Sequence, residues 1–341
     1  MNFQKIINNH HGLTRREFLL GAFTAGVFAL SGAFFLRRYA RQTRKAETFI
    51  SKVDDYSADI KSVIISGMQE LGVTSKEISG KKILLKPNLV EPLANTVHIN
   101  THPLMVRGAA EAFLSLGAEQ VFVGEGPGHC HDTLRTLEAS GMADVLFEDR
   151  IPFVDLNSDD VYTVPNKGRY SRLKTLTFPV ALRQADWIVS MPKLKTHHWA
   201  GVTLSMKNMF GVMPGMFYGW PKNVLHREGI GKCILDINMT LQPHLAIVDG
   251  VIGMEGDGPI MGTPRHAGVL VMGRNFVAVD ATCSRIMGVN PWKIPYLSVA
   301  STRLGPLKEK NISQYGETID SVRTEFALIE KIPAHRGLRQ L

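Results

Sequence analysis

The sequence predicts an α/β protein, a mostly parallel sheet with helices on both faces, Rossmann-like and doubly wound. Three observations carry that expectation. Four short apolar runs, KKILLKPNLV, EQVFVGEG, ADWIVS and LAIVDG, each meet Pro or Gly and a polar residue at their end, as buried parallel strands do. Segments with helical periodicity lie between them. The strand–loop–helix unit recurs at roughly 25–45 residues with no internal repeat.

The elements follow in order. Residues 54–72 carry Ile60, Val63, Ile64, Met68 and Leu71 at the spacing of one helix face. Lys81–Val90 reads as a buried strand ended by Pro87, with Lys86 and Asn88 at its carboxyl end. Pro103 suits the first position of a helix over Leu104–Leu116, which Gly117 stops. Glu119–Gly126 opens a glycine-rich loop, Gly124–Asp132, and a helix to about Ser140. Ile151–Asp155 reads as a short strand, 156–176 as a polar excursion or β-hairpin, and Pro179–Gln184 as a short helix. Ala185–Ser190 is the central strand, and Pro192 is expected to end it and begin a loop reaching Gly215. A helix over Gly229–Met239, a strand over Leu245–Gly250 and a loop over Val251–His266 come next. The strand Gly268–Gly273, a helix over Asn275–Met287, a helical Pro291–Leu304 and an irregular tail complete the chain.

With 341 residues, 44% of them hydrophobic, the chain can bury a large core. Its net charge of +8 comes almost entirely from residues 1–45, where eight Lys and Arg face only Glu17. The remainder is nearly neutral and carries no basic stripe, which argues against nucleic acid as a partner. Cys130, Cys233 and Cys283 lie far apart, and no CxxC occurs, so an iron–sulfur cluster or structural zinc held by cysteines is not expected.

Residues 1–45 read as a targeting segment, and 46–341 as a single α/β domain. TRREFLL at Thr14–Leu20 resembles a twin-arginine translocation signal, with Arg15–Arg16 followed by Phe18 and Leu19. The apolar stretch Leu19–Leu36 is either a cleaved signal, with Ser31-Gly32-Ala33 as a small-x-small site, or a membrane anchor helix flanked by Arg37, Arg38, Arg41, Arg44 and Lys45. The resemblance implies the twin-arginine translocation machinery as a partner. It implies export to the periplasm, with or without membrane attachment, and a protein folded and loaded with any cofactor beforehand.

Open α/β sheets take ligands at the carboxyl ends of their strands. Five polar loops belong there: Lys86–Asn88, Thr101–Pro103, Glu125–Asp132, Lys193–Lys207 and Asp249–Asp257. The stretch Met191–Gly215 holds Lys193, Lys195, His197, His198, Thr203, Lys207 and Asn208 with no acid among them. Trp199, Val202, Leu204, Met206, Met209 and Phe210 interleave with these, so the stretch is expected to fold back on the body. Lysines held against apolar surface lose charge readily and become nucleophiles or anion clamps. Lys207, His197 and Lys193 are therefore the candidate catalytic groups. Lys86, Asn88, Gly124, Glu125, Gly126, Lys195 and Asn208 are the candidates for holding a cofactor or a small anionic ligand. A metal ion is a further option. His129 and His131 suit a transition metal, although a helix cap explains the same residues. Asp249, Glu255 and Asp257 suit a hard cation, or simply turn a loop beside glycine.

Over about Lys81–Val289 these pieces resemble a known family. LLKPNLV, the Thr-His-Pro turn, GEGPG, MPKLKTH with SMKNMFG, the Glu-Gly-x-Gly-Pro loop and AVDA at Ala278–Ala281 are similar to domain of unknown function 362. Some members carry ferredoxin-type cysteine motifs; this chain does not, so their electron-transfer role is not carried over. A more distant similarity joins His197-x-x-Ala200-Gly201, Lys207 and Pro214-Gly215 to the amino-terminal domain of lactate racemase-like enzymes. That resemblance implies Lys207 as a lysine that attaches cofactor or substrate, and His197 as an acid or base. The lysine of that family holds a nickel-pincer nucleotide. Here Ser205-Met206 stands in place of its Gly-Gly, and Asn100-Thr101-His102-Pro103 in place of its Asp-x-x-Arg-Pro, so nickel is not carried over. Two functions stand: an enzyme acting on a small anionic substrate, or a non-catalytic module that binds an anion or cofactor.

Overall fold

Alternation along the strands decides the architecture. The computed structural model describes residues 44–94, 96–128 and 133–340. The expected leader and the metal candidates His129 and His131 lie outside the described residues, Arg44 and Lys45 excepted. Among the described residues no helix is long and apolar enough to cross a membrane.

The strands are β1 (Ala46–Lys52), β2 (Lys82–Pro87), β3 (Gln120–Glu125), β4 (Phe153–Asp155), β5 (Val161–Pro165), β6 (Thr175–Pro179), β7 (Trp187–Met191), β8 (Lys193–His197), β9 (Gly201–Thr203), β10 (Leu245–Glu255), β11 (Thr263–Gly273) and β12 (Ile312–Gly316). The helices that matter below are α1 (Ile60–Glu70), α2 (Pro103–Ser115), α3 (Met142–Glu148), α4 (Ser205–Asn208), α5 (Ile230–Leu241) and α6 (Phe276–Ile286). The main sheet runs β12-β1-β11-β10-β7-β2-β3-β4. Its β10-β7-β2-β3-β4 half is parallel throughout, while β11 lies antiparallel to both β10 and β1.

Successive strand residues enter opposite cores, as a period of two requires. Ile83, Leu85, Val121, Val123, Trp187 and Val189 pack under α1, α2 and α3. Leu84, Phe122, Ile188, Ala246 and Val248 pack on the other face under α5 and α6. Both faces are thus covered, which is why the strands read as continuous apolar runs. The expected mostly parallel sheet with helices on both faces is present.

Three local expectations are corrected, and one open choice is resolved. Pro192 does not begin a loop: it is a one-residue joint, after which β8 pairs in parallel with β10 and antiparallel with β9. Val251–His266 is not a loop but mostly the two arms of the β10–β11 hairpin. Residues 46–52, left without an element, form β1, and the tail supplies β12 beside it. The open choice over 156–176 resolves as a hairpin, β5 against β6.

Beyond β8 and β9, α4 is tied to α6 by a buried carboxylate. Asp280, fully buried on α6, accepts the backbone N–H groups of Ser205 at 2.8 Å and Met206 at 3.1 Å. These are orphan donors of the first turn of α4, so the carboxylate completes a helix start that the sequence leaves uncapped. Burial pushes the Asp280 pKa up to about 7, against the pull of those donors. Asp280→Ala should strand both N–H groups and lower the unfolding free energy by about 2–4 kcal/mol in urea, with the slope unchanged. A loss below about 1 kcal/mol would show that α4 is held by packing instead.

Candidate functional site: a lysine-lined pocket at the strand ends

At the carboxyl ends of β2 and β3, a pocket of about 250 Å³ is lined from strands β2, β3, β8 and β9, from α4, and from the loops beyond them. Four lysines face it, Lys86, Lys195, Lys207 and Lys222, against one carboxylate, Glu125, among the described lining residues. Each lysine is held differently, and that difference is the chemistry of the site.

Lys86 ends β2 and is 1% exposed. Its Nζ donates to Glu125 Oε2 at 2.6 Å, to Asn208 Oδ1 at 2.9 Å and to the Pro87 carbonyl at 2.8 Å. All three of its protons are taken. Burial lowers its pKa from the ordinary lysine value and Glu125 opposes that fall. The other Glu125 oxygen accepts Gly126 N–H at 2.9 Å. Gly211 lies over this pair so closely that an added Cβ would fall 2.5 Å from Lys86 Nζ.

Lys222 was not among the residues singled out from the sequence. Its Nζ donates to the carbonyls of Gly126 at 2.8 Å, Gly211 at 3.1 Å and Met213, with the Asn157 amide oxygen 3.4 Å away. A lone lysine between Pro221 and Asn223 offers no pattern that would have marked it. Burial lowers its pKa to about 7, with Glu125 opposing. Lys195 is fully buried and held only by neutral acceptors, the Ile99 carbonyl at 2.8 Å and the Pro259 carbonyl at 3.2 Å. Burial first, then Lys207, Lys193 and Lys86, hold its pKa well below the ordinary value.

Lys207 differs from the other three. It makes no hydrogen bond with any described residue; its Nζ sits 4.9 Å from the centre of the Phe210 ring. Burial lowers its pKa to about 8, aided by Lys86 and opposed by Glu125.

His197 is 3% exposed, and its Nδ1 accepts the backbone N–H groups of Trp199 at 3.0 Å and Ala200 at 3.2 Å. Those two bonds fix the tautomer: the proton is on Nε2. Burial, then Lys207, hold the imidazolium form far out of reach. His197 therefore presents an N–H donor rather than a free base. Trp199, His226 and Phe210 close the far wall, with ring centres 5.4 Å and 5.3 Å apart in edge contacts.

The structure brings Lys86, Asn88, Glu125, Gly126, Lys195, His197, Lys207 and Asn208 to one pocket. It does not bring Gly124, which packs between Leu84 and Leu156. It also leaves out Lys193, expected to be catalytic. Lys193 Nζ is locked 2.7 Å from Asp249 Oδ2 and 2.8 Å from the Tyr56 hydroxyl, all fully or largely buried and off the pocket wall. The acidic metal candidates take separate partners: Asp249 has Lys193 and Tyr56, Glu255 the Ala327 N–H, and Asp257 the ring of His198. Among the described residues no three His, Cys, Asp or Glu side chains gather where a metal ion would sit.

Fold and site together define an α/β protein with a buried, lysine-rich pocket at its strand ends. Residues 83–285 match the family described as Domain of unknown function (DUF362), and the chain belongs to it. A thylakoid-associated protein of Synechocystis is 28% identical over 228 residues, covering 66% of this chain and 68% of that one. Two solved structures are similar at lower level. A Thermotoga maritima protein has 14% identity and a TM-score of 0.39, covering 66% of this chain. The lactate racemase apoprotein of Thermoanaerobacterium thermosaccharolyticum has 12% identity and a TM-score of 0.42, covering 72%. This chain spans 57% of each of those two, and no role is carried over from either.

A lysine without a hydrogen bond to any described residue and with a pKa of about 8 should react early. Acylation of Lys207 by a neutral amine reagent is expected to rise with a midpoint near pH 8, well below that of exposed lysines. Peptide mass spectrometry across pH 6–11 reads it. A Lys207 profile that overlays those of Lys61 and Lys76 would mean it is an ordinary surface amine.

Proposed function

We propose that the protein is an enzyme acting on a small anion, which the pocket holds through Lys195, Thr203, His197 Nε2–H and Lys207. Lys207 supplies the reactive amine. The observation that carries this reading is the unmatched charge: among the described residues four lysines share one carboxylate, and one of the four, Lys207, has no hydrogen-bond partner. Such a cluster is destabilised by its own repulsion, and an anion relieves it. Lys86 and Lys222 are spent on structure. Lys195 has one proton left after its two carbonyls, and Lys207 has three.

At a pKa of about 8 roughly a tenth of Lys207 is free amine at pH 7, far more than for an ordinary lysine, ready to take a proton or attack an electrophilic carbon. A second reading, an anion-binding module without catalysis, is favoured by one observation. His197 Nδ1 is committed twice, and Glu125 is committed to Lys86, Leu89 and Gly126, so neither is free to exchange a proton with Lys207.

Sulfate, which does not titrate in this range, is the probe. Anion binding favours the charged amines, whose pKa values are depressed without it. Binding should therefore take up protons, and affinity should fall as pH rises through about 7 and 8. Calorimetry in buffers of different ionisation enthalpy measures both. Lys207→Ala should weaken sulfate by about tenfold or more, whereas Lys207→Arg should keep most of the affinity and lose the reactive amine. Affinity that is flat from pH 6 to 9 would sink the anion reading.

We further propose that Thr14–Leu20 directs export by the twin-arginine route to the periplasmic side. With Arg15 and Arg16 both changed to Lys, the folded protein should remain in the cytoplasm on cell fractionation. Unimpaired export of that double variant would refute the assignment.

A further inference from the structure

We infer that the pocket selects a small anion that also bears a hydroxyl group, read by Asn88 and Thr203. This rests on the anion reading above and deepens it. Two polar atoms on the pocket wall are sealed from solvent without any hydrogen-bond partner, Asn88 Oδ1 and Thr203 Oγ1. Asn88 is 8% exposed and Thr203 3%. The Asn88 backbone N–H bonds Thr101 Oγ1 at 2.9 Å, but its carboxamide has no bond at either end. Nothing fixes the rotation of that amide, so either end can turn toward a ligand.

The two other asparagines at the pocket are committed. Asn208 bonds Lys86 twice and Ser190; Asn157 bonds Gly215, Pro127 and Lys222. Ser205 Oγ, at the start of α4, is also unpartnered, but it does not line the pocket; Asn88 and Thr203 do.

A bare anion fills half of what the pocket asks. It offers acceptors only, which suit Lys207, the third proton of Lys195 and His197 Nε2–H. It leaves the Asn88 carbonyl oxygen with no donor. A hydroxyl beside the anionic group supplies that donor, and its oxygen accepts from Thr203 or the turned amide. A pocket of about 250 Å³ admits a molecule of that size. Sites built to bond a substrate hydroxyl reject the analogue lacking it far more strongly than apolar pockets reject a missing methylene, because their own groups are left unpaired. The ligand class is a hydroxylated phosphate or carboxylate of a few carbons.

The test compares glycerol 3-phosphate with n-propyl phosphate, equal in charge and close in size, by calorimetry at pH 7. Sulfate serves as the control for the anion site. The wild-type protein should prefer glycerol 3-phosphate by about tenfold or more. In Asn88→Leu and Thr203→Val, each checked for its fold by circular dichroism and thermal melting, that ratio should fall toward one. Should the Asn88 variant fail to fold, Thr203→Val decides alone, since it keeps the volume and removes only the hydroxyl. Its ratio should drop by about threefold or more. Equal affinity for the two esters in the wild type overturns the inference, and so does a preference that survives Thr203→Val and any folded Asn88 variant. If sulfate and both esters all fail to bind, the anion reading itself falls and takes this inference with it.

Discussion

The pocket depends on the buried ion pair between Lys86 and Glu125. It bolts the ends of β2 and β3 together at 2.6 Å and, through Asn208, ties both strands to α4. The pair sits almost wholly out of water, so removing either partner would leave an uncompensated charge and cost about 3–5 kcal/mol. Its second consequence is electrostatic. Glu125 is the one carboxylate among the described residues on the pocket wall, and it already belongs to Lys86. No negative charge is left over for Lys195, Lys207 or Lys222, so the field of the cavity is set by amines.

Those amines survive burial because most are converted into structure. Lys222 is wrapped by backbone carbonyls, and it holds an uncommon left-handed backbone, φ +67°, while its chain reaches inward. The cost of that conformation is repaid by joining the loops after β3 and after α4. Lys193, one strand residue away from the joint at Pro192, meets Asp249 across β10 and becomes part of the core. The same residue type thus serves as rivet, core ion pair and free amine within one short segment.

Much of this was legible in the sequence. Apolar runs ending in Pro or Gly gave the parallel half of the sheet, and the rule that ligands sit at strand ends pointed to Lys86, Glu125, His197 and Lys207, which line one pocket. The Lys193–His197 stretch was legible too, had its period been followed. Lys193, Lys195 and His197 alternate with Leu194 and Thr196, the signature of a strand with one polar face. Pro192 hid it, because proline is taken as an ending, although here it only joins two strands. The β10–β11 hairpin was missed for a related reason: glycine-rich Val251–His266 reads as a loop. Gly250 and Gly253 instead let Leu194 of β8 approach closely. Lys222 could not have been found by pattern at all. Its role comes from three carbonyls contributed by residues as distant as Gly126, and no local spacing encodes that.

Counting lysines would therefore have misjudged the site; counting their acceptors does not. Lys86 has three, Lys222 three carbonyls and a nearby amide, Lys195 two, and Lys207 none among the described residues. Each acceptor holds a proton in place and fixes the geometry of the ammonium group. An amine with a full set has a structural task. An amine with none has both a lowered pKa and the freedom to move. Burial, and after it Lys86, depress Lys207, while the locked lysines have their protons engaged by acceptors. In the proposed reading the reactive nitrogen is the one left over when its neighbours are satisfied, so the assignment of Lys207 rests on what surrounds it and not on its residue type.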